Sequence, residues 1–187
     1  MEHKRIGVGL AACLLLPALA PAEPAYLEKG ARYGGAHFAM GRYDEQGVSA
    51  TARPKAMVAR FGEFVEDRFA IEGRAGFGLG SDTVTVEGFD VDVQIDNMAA
   101  AYLLGHVPLG EQATAYALSG MTHGRMTVSI GSVSASATDT GLTWGAGLNV
   151  HSPDSELVFN VEYARYLDGG TYTLSAISFG LAGAFGD

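Results

Sequence analysis

The chain of 187 residues has a single cysteine, Cys13, and none after it. A fold built downstream of that point has no disulfide to rest on. Basic residues are scarce as well: 12 Lys and Arg stand against 21 Asp and Glu, a formal net charge of −9. That balance argues against nucleic acid as a partner, because phosphate recognition needs a basic footprint. Long apolar runs are also missing. The run Ile6–Leu16 falls short of the roughly 20 residues a membrane helix needs, and Pro17 interrupts its continuation. If the chain crosses a bilayer, it must do so as a closed barrel, the other structure that satisfies its own backbone in lipid. Metal and phosphate signatures are absent too. Asp90, Asp92 and Asp96, with Glu87, lack the glycine spacing of a calcium loop and read as a solvated acidic rim. Gly76-Phe-Gly-Leu-Gly80 has its glycines at alternate positions of a strand pattern with no helix following, which is not a phosphate loop. No metal and no cofactor is expected.

What is present begins with Lys4 and Arg5, then the apolar run, then Pro17-Ala-Leu-Ala-Pro-Ala22. A charged start, an apolar middle and small residues at the end make a secretory signal, expected over residues 1–22 with cleavage after Ala22. Leu10-Ala-Ala-Cys13 has the look of a lipoprotein motif, but Cys13 comes early and the apolar run continues past it, so it reads as a small apolar signal residue. Residues 23–30 read as a short irregular lead, and residues 31–187 as one domain.

Within that domain the pattern is period two, the mark of strands, whose successive side chains leave on opposite faces. Thr140–Val150 is the clearest case. Leu142, Trp144, Ala146, Leu148 and Val150 share one parity, and Gly141, Thr143, Gly145, Gly147 and Asn149 the other. Similar stretches are expected over 33–43, 56–65, 69–80, 91–104, 114–128, 157–166 and 172–185. A change of parity near Asn97 implies a bulge in the fourth of them. Ser129–Thr138 reads as a Ser/Ala/Gly loop, and Ser81–Asp90 as a loop that still alternates, so that its hairpin extends beyond the main body. The sum is an all-β fold, an eight-stranded antiparallel up-and-down transmembrane β-barrel behind a signal peptide. An even strand count, with long connections alternating with tight ones, fits that architecture.

Orientation follows from where the charges fall. One face of the strands is bulky and almost uncharged at mid-strand; the other mixes glycine with charge. A soluble lipocalin-like carrier would set polar residues outside and apolar ones within, and exposing charge to lipid costs up to several kcal/mol at mid-depth. The expected lipid-facing set is Phe38, Phe61, Phe77, Tyr116, Trp144, Leu148, Phe159, Phe179 and Leu181. The expected polar network of the lumen is Arg60, Glu72, Arg74, Arg125, Glu162, His37 and His123. Tyr33, Tyr43, Tyr102, Tyr163, Tyr166 and Tyr172 fall near strand ends and read as an interfacial aromatic girdle.

Tyr116-Ala-Leu-Ser-Gly-Met, Trp144-Gly-Ala-Gly-Leu and Val161-Glu-Tyr-Ala-Arg-Tyr, with a phenylalanine near the C-terminus, resemble the small outer-membrane β-barrel domain of OmpA/OmpX-like proteins. The resemblance spans the chain after the signal. It implies an eight-stranded barrel in the cell outer membrane of a Gram-negative bacterium, in contact with membrane lipid and lipopolysaccharide and inserted by the barrel-assembly machinery. Phe185 would be the insertion signal, preceded at alternate positions by Leu181, Phe179 and Ile177, although the chain continues to Gly186-Asp187.

Catalysis is not expected. His37 or His123 with Ser119 or Ser178 and Glu162 has the residue types of a Ser-His-acid site, but no local motif accompanies them. His151 and Ser152 are adjacent in sequence and so point to opposite faces. The function expected is structural or surface interaction through extracellular loops, including a host or surface ligand of unknown identity. The alternatives are a narrow porin-like channel for water, ions or small solutes and a lipid A-modifying enzyme.

Overall fold

The computed structural model describes residues 27–47, 50–153, 155–168 and 172–185. The expected signal and most of the lead lie outside them. The strands are β1 Arg32–Glu45, β2 Thr51–Ala52, β3 Lys55–Glu66, β4 Phe69–Gly78, β5 Ser81–Val86, β6 Phe89–Pro108, β7 Ala113–Ile130, β8 Val133–His151, β9 Leu157–Asp168 and β10 Tyr172–Phe185. Among the described residues, eight form an antiparallel ring in chain order, β1-β3-β4-β6-β7-β8-β9-β10. It closes where β10 pairs with β1, from Arg32↔Phe185 to Glu45↔Tyr172. The two short strands stand off the ring, β2 against β1 and β5 against β6.

Closure leaves no free edge along the body of the ring. One end gathers Arg32, Phe185 and the connections between β3 and β4, β6 and β7, and β8 and β9; this is the terminal end. The other, the loop end, carries the remaining connections. There β5 and β6 form a hairpin whose turn residues Glu87 and Gly88 both have positive φ, 50° and 87°. That is the turn geometry that matches the twist of paired strands. The bulge expected near Asn97 is present as a register shift between Ile95 and Asn97.

The Ser129–Thr138 segment is not a loop. β7 and β8 pair without interruption from Ala113↔Val150 to Ile130↔Val133 and turn at Gly131. Hydroxyls tie the two strands together, Thr127 to Ser136 at 2.9 Å and Ser129 to Ser134 at 2.8 Å. The small, polar composition that resembled a loop is an exposed strand pair.

The faces divide as the charge argument requires over most of the wall. Phe61, Phe77, Trp144, Leu148, Phe159, Phe179, Leu181 and Phe185 are all exposed on the outer surface, and Phe38 is half-buried between exposed Ala36 and Met40. Phe61 and Phe185 touch across the closing seam, ring centroids 5.2 Å apart.

β7 is the exception, because its parity is opposite to the one expected. Tyr116, expected against lipid, is 3% exposed and points into the lumen with Leu118 and Thr122. His123 and Arg125, expected in the lumen, lie on the outer wall near the loop end. His123 Nδ1 shares a hydrogen bond with Thr140, and Arg125 pairs with Asp96 at 3.4 Å. His123 and Arg125 lie toward the loop end of β7's outer face and bond polar neighbours there, Thr140 and Asp96, so they carry no sign of which face is inner. Past the bulge, Tyr102 and Leu104 of β6 likewise face inward. Tyr102 and Tyr166 are buried and Tyr33 half-buried, all lining the lumen, so these three are not girdle residues.

Candidate functional site

The lumen is filled in three tiers, and the middle one is charged. Arg74 of β4 reaches across the barrel to Glu162 of β9 in a two-pronged pair, Nη1 to Oε1 at 2.6 Å and Nη2 to Oε2 at 2.7 Å. Its Nε donates to Glu72 Oε1 at 2.6 Å. Arg60 Nη1 stands 3.7 Å from Glu72 Oε2. The side chains of Arg74, Glu72 and Glu162 are fully inaccessible. Two guanidinium groups and two carboxylates make the layer neutral, which is what a group of charges removed from water requires.

The remaining lone pairs are met by tyrosines in two equivalent rows. Tyr33 lies opposite Gly62, which lies opposite Glu72, across β1, β3 and β4. Tyr116 lies opposite Gly147, which lies opposite Glu162, across β7, β8 and β9. In each row the phenol crosses the bare glycine and donates to the carboxylate, at 2.7 Å in both cases. A Cβ on Gly62 would stand 2.3 Å from the Tyr33 ring, and one on Gly147 2.4 Å from the Tyr116 ring. The glycines are therefore the space in which the tyrosines lie.

The network continues outward from this layer. Asn160 donates to the Tyr116 hydroxyl at 2.8 Å and to Asn149 at 2.7 Å. Tyr102, whose ring lies 4.9 Å from the Arg74 guanidinium carbon, shares a hydrogen bond with Thr122, which shares another with Thr143. Thr143 then donates to the carbonyl of Tyr166 at 2.9 Å.

Toward the terminal end, the rings of Phe64, His106 and Tyr116 meet in turn, tilted, at 5.0 and 5.4 Å, and Leu27 folds in beneath them, 1% exposed. Leu27 is held by its carbonyl, which accepts from the Arg68 backbone N–H. Toward the loop end the tier is apolar: Ala39, Ala56, Ile95, Met98, Leu167 and Leu174 surround a cavity of about 30 Å³. At the loop-end rim Arg42 and Thr51 hydrogen-bond Asp44 and hold its carboxyl below the ordinary carboxylate range.

Of the seven residues expected in the lumen, the fold thus gathers Arg60, Glu72, Arg74, Glu162 and His37 there, and not His123 or Arg125. Tyr33, Tyr116 and Asn160 complete the network and were not expected in it. The sequence signal for them is the glycine that register places beside each tyrosine. His37 does not form a catalytic pair with Ser178: neither of its ring nitrogens has a hydrogen-bond partner. No group of His, Cys, Asp and Glu suited to a metal occurs among the described residues.

Residues 9–185 match the family described as outer membrane protein beta-barrel domain. Solved structures share the fold at low identity. The attachment invasion locus protein Ail of Yersinia pestis is 18% identical with a TM-score of 0.61, the match covering 84% of this chain and 99% of that one. Neisserial surface protein A is 16% identical, TM-score 0.59, covering 84% and 100%. Outer membrane protein OprG from Pseudomonas aeruginosa is 13% identical, TM-score 0.58, covering 86% and 98%. No curated protein matches the sequence significantly.

Proposed function

The chain belongs to the outer-membrane protein β-barrel family, and from that premise we propose a closed, non-catalytic barrel that works through the hairpins at its loop end. In this reading those hairpins face outward from the outer membrane of a Gram-negative bacterium and serve adhesion, host contact or envelope integrity. The observation that carries it is the buried Arg74–Glu162 layer with apolar or aromatic tiers on both sides. Such a centre fills the lumen and ties its opposite walls together. The polar, water-facing surface is at the other place the sequence invested in, the extended β5–β6 and β7–β8 hairpins, where Thr83, Thr85, Ser134, Ser136 and Thr138 are exposed.

A narrow channel for water, ions or small solutes has the filled centre against it. A lipid A-modifying enzyme has against it the depth of His37 and Ser178, both buried in the lumen and far from a rim where lipid is reached. Lipid and lipopolysaccharide are the partners of the apolar outer belt. The barrel-assembly machinery is the partner of β10, whose exposed Ile177, Phe179, Leu181 and Phe185 alternate up to the last described residue. The same fold serves a protein named for attachment and invasion in Yersinia pestis.

The test is to replace residues 128–135, the tip of the β7–β8 hairpin, by a two-residue Asn-Gly turn. The shortened chain is expected to insert and to keep the heat-dependent gel migration of a folded barrel. Cells bearing it should lose the attachment to matrix-coated surfaces that the full chain confers. Equal attachment by the two chains would remove this hairpin from the function.

A further inference from the structure

A second cavity, apart from the charged layer, opens at the loop end. It has a volume of about 190 Å³, and Tyr43, Met126, Val128, Asp139, Leu167 and Tyr172 are among the residues that line it. Among the described residues, the strand ladder in the barrel wall beside it stops short. β8 begins at Val133, yet its pairing with β9 stops at Trp144↔Arg165, although β9 runs on to Asp168. Beyond the ladder the described links are made by side chains: Thr143 of β8 donates to the Tyr166 carbonyl of β9, and Tyr172 of β10 donates its hydroxyl to Asp139 of β8. Tyr172 also stacks on Tyr43, with centroids 5.5 Å apart and planes 29° from parallel.

The cavity leads inward but not through. Gly124, Met126 and Leu167 also line the inner apolar cavity of about 30 Å³, and the ion-paired layer lies beneath that. The arrangement therefore suits binding, not passage.

The walls specify what would bind. Met126, Val128 and Leu167 offer apolar surface. Asp139 offers a carboxylate that accepts from Tyr172 and from the Thr140 backbone N–H and pairs with no cation among the described residues. Beside it stand two tyrosine rings, whose faces attract positive charge. An apolar cavity of about 150 Å³ is enough to hold benzene, so the space here fits an aryl or short alkyl body.

We propose that this cavity is a binding site for a small amine carrying an apolar body. The ammonium sits against Asp139 and the tyrosine rings, and the body lies on Met126, Val128 and Leu167. The site lies at the loop end, above the outward-facing Trp144 and Tyr163, whose rings are 6.3 Å apart.

The test is calorimetric titration of the full chain in phosphatidylcholine nanodiscs, with empty nanodiscs as the blank. Phenethylamine is the probe, and 2-phenylethanol and 3-phenylpropionate are its neutral and anionic counterparts. Saturable binding is expected in the order amine, alcohol, acid, the first two separated by about tenfold, the scale of one charge-assisted hydrogen bond. Asp139→Asn should bring the amine to the level of the alcohol, and a phenylalanine at Ala137, which also lines the cavity, should fill it, so that Ala137→Phe abolishes binding of both. The ranking on the wild-type chain decides the matter even where a variant fails to insert. Equal affinities, tightest binding of the acid, or heats no larger than those of empty nanodiscs would overturn the proposal.

Discussion

Tyr116 is the residue that ties the barrel's chemistry to its shape. An isolated tyrosine on an alternating strand looks like a membrane-facing aromatic, and nothing local distinguishes it from one. Its place in the lumen follows from a partner 46 positions away, Glu162, and from the glycine between them. Those relations belong to register, not to local sequence. The cost of disturbing them is correspondingly specific. Gly147→Ala forces a methyl into the ring of Tyr116 and should destabilise the barrel by about 1–3 kcal/mol, the range for overpacking. In a Tyr116→Ala background the same change should cost almost nothing, and that coupling is measurable from the four denaturation midpoints of a double-mutant cycle. Arg74→Ala leaves two buried carboxylates without their common partner and should cost about 3–5 kcal/mol. The temperature at which the folded gel band converts to the unfolded one would report it. Equal conversion temperatures for the variant and the wild type would mean that the layer contributes no stability.

At the level of elements, strands were legible wherever the outer face is bulky. β10 begins and ends at the residues its alternation marks, and β4 differs from expectation only at its loop end. β7 was legible as a strand but not in its phase, because its outer face is Ala117, Ser119 and Met121 while its inner face holds the larger Tyr116 and Leu118. Size alone therefore points the wrong way there. The upper halves of β7 and β8 were hidden for a different reason: Ser, Ala and Thr pair through backbone and hydroxyls without needing an apolar face. Of the candidate site, the ion pairs were legible from charges sharing the minor face, and the tyrosines were not. Depth along a strand also predicts its tolerance. Leu148→Arg, in the apolar outer belt, should cost about 2–4 kcal/mol if it sits near the bilayer midplane. Ser134→Arg, at the hairpin tip, should stay within about 0.5 kcal/mol of wild type. Reversible unfolding in lipid vesicles compares the two, and similar costs at both sites would contradict the belt's position.

For the whole molecule, the outward apolar belt and the neutral, bonded interior are two consequences of one closure. Joining β10 to β1 removes the edges, and the lumen it creates is narrow enough for side chains from opposite walls to meet. Arg74 and Glu162 do meet there, on strands β4 and β9 separated by 88 positions in sequence. On the function proposed above, a lumen filled in this way conducts nothing, and whatever the protein recognises is met at its loop end. Planar-bilayer recording of the purified wild-type chain in concentrated potassium chloride tests this most directly. A closed centre predicts a current indistinguishable from the bare membrane at every holding potential, and sustained discrete conductance steps would contradict it.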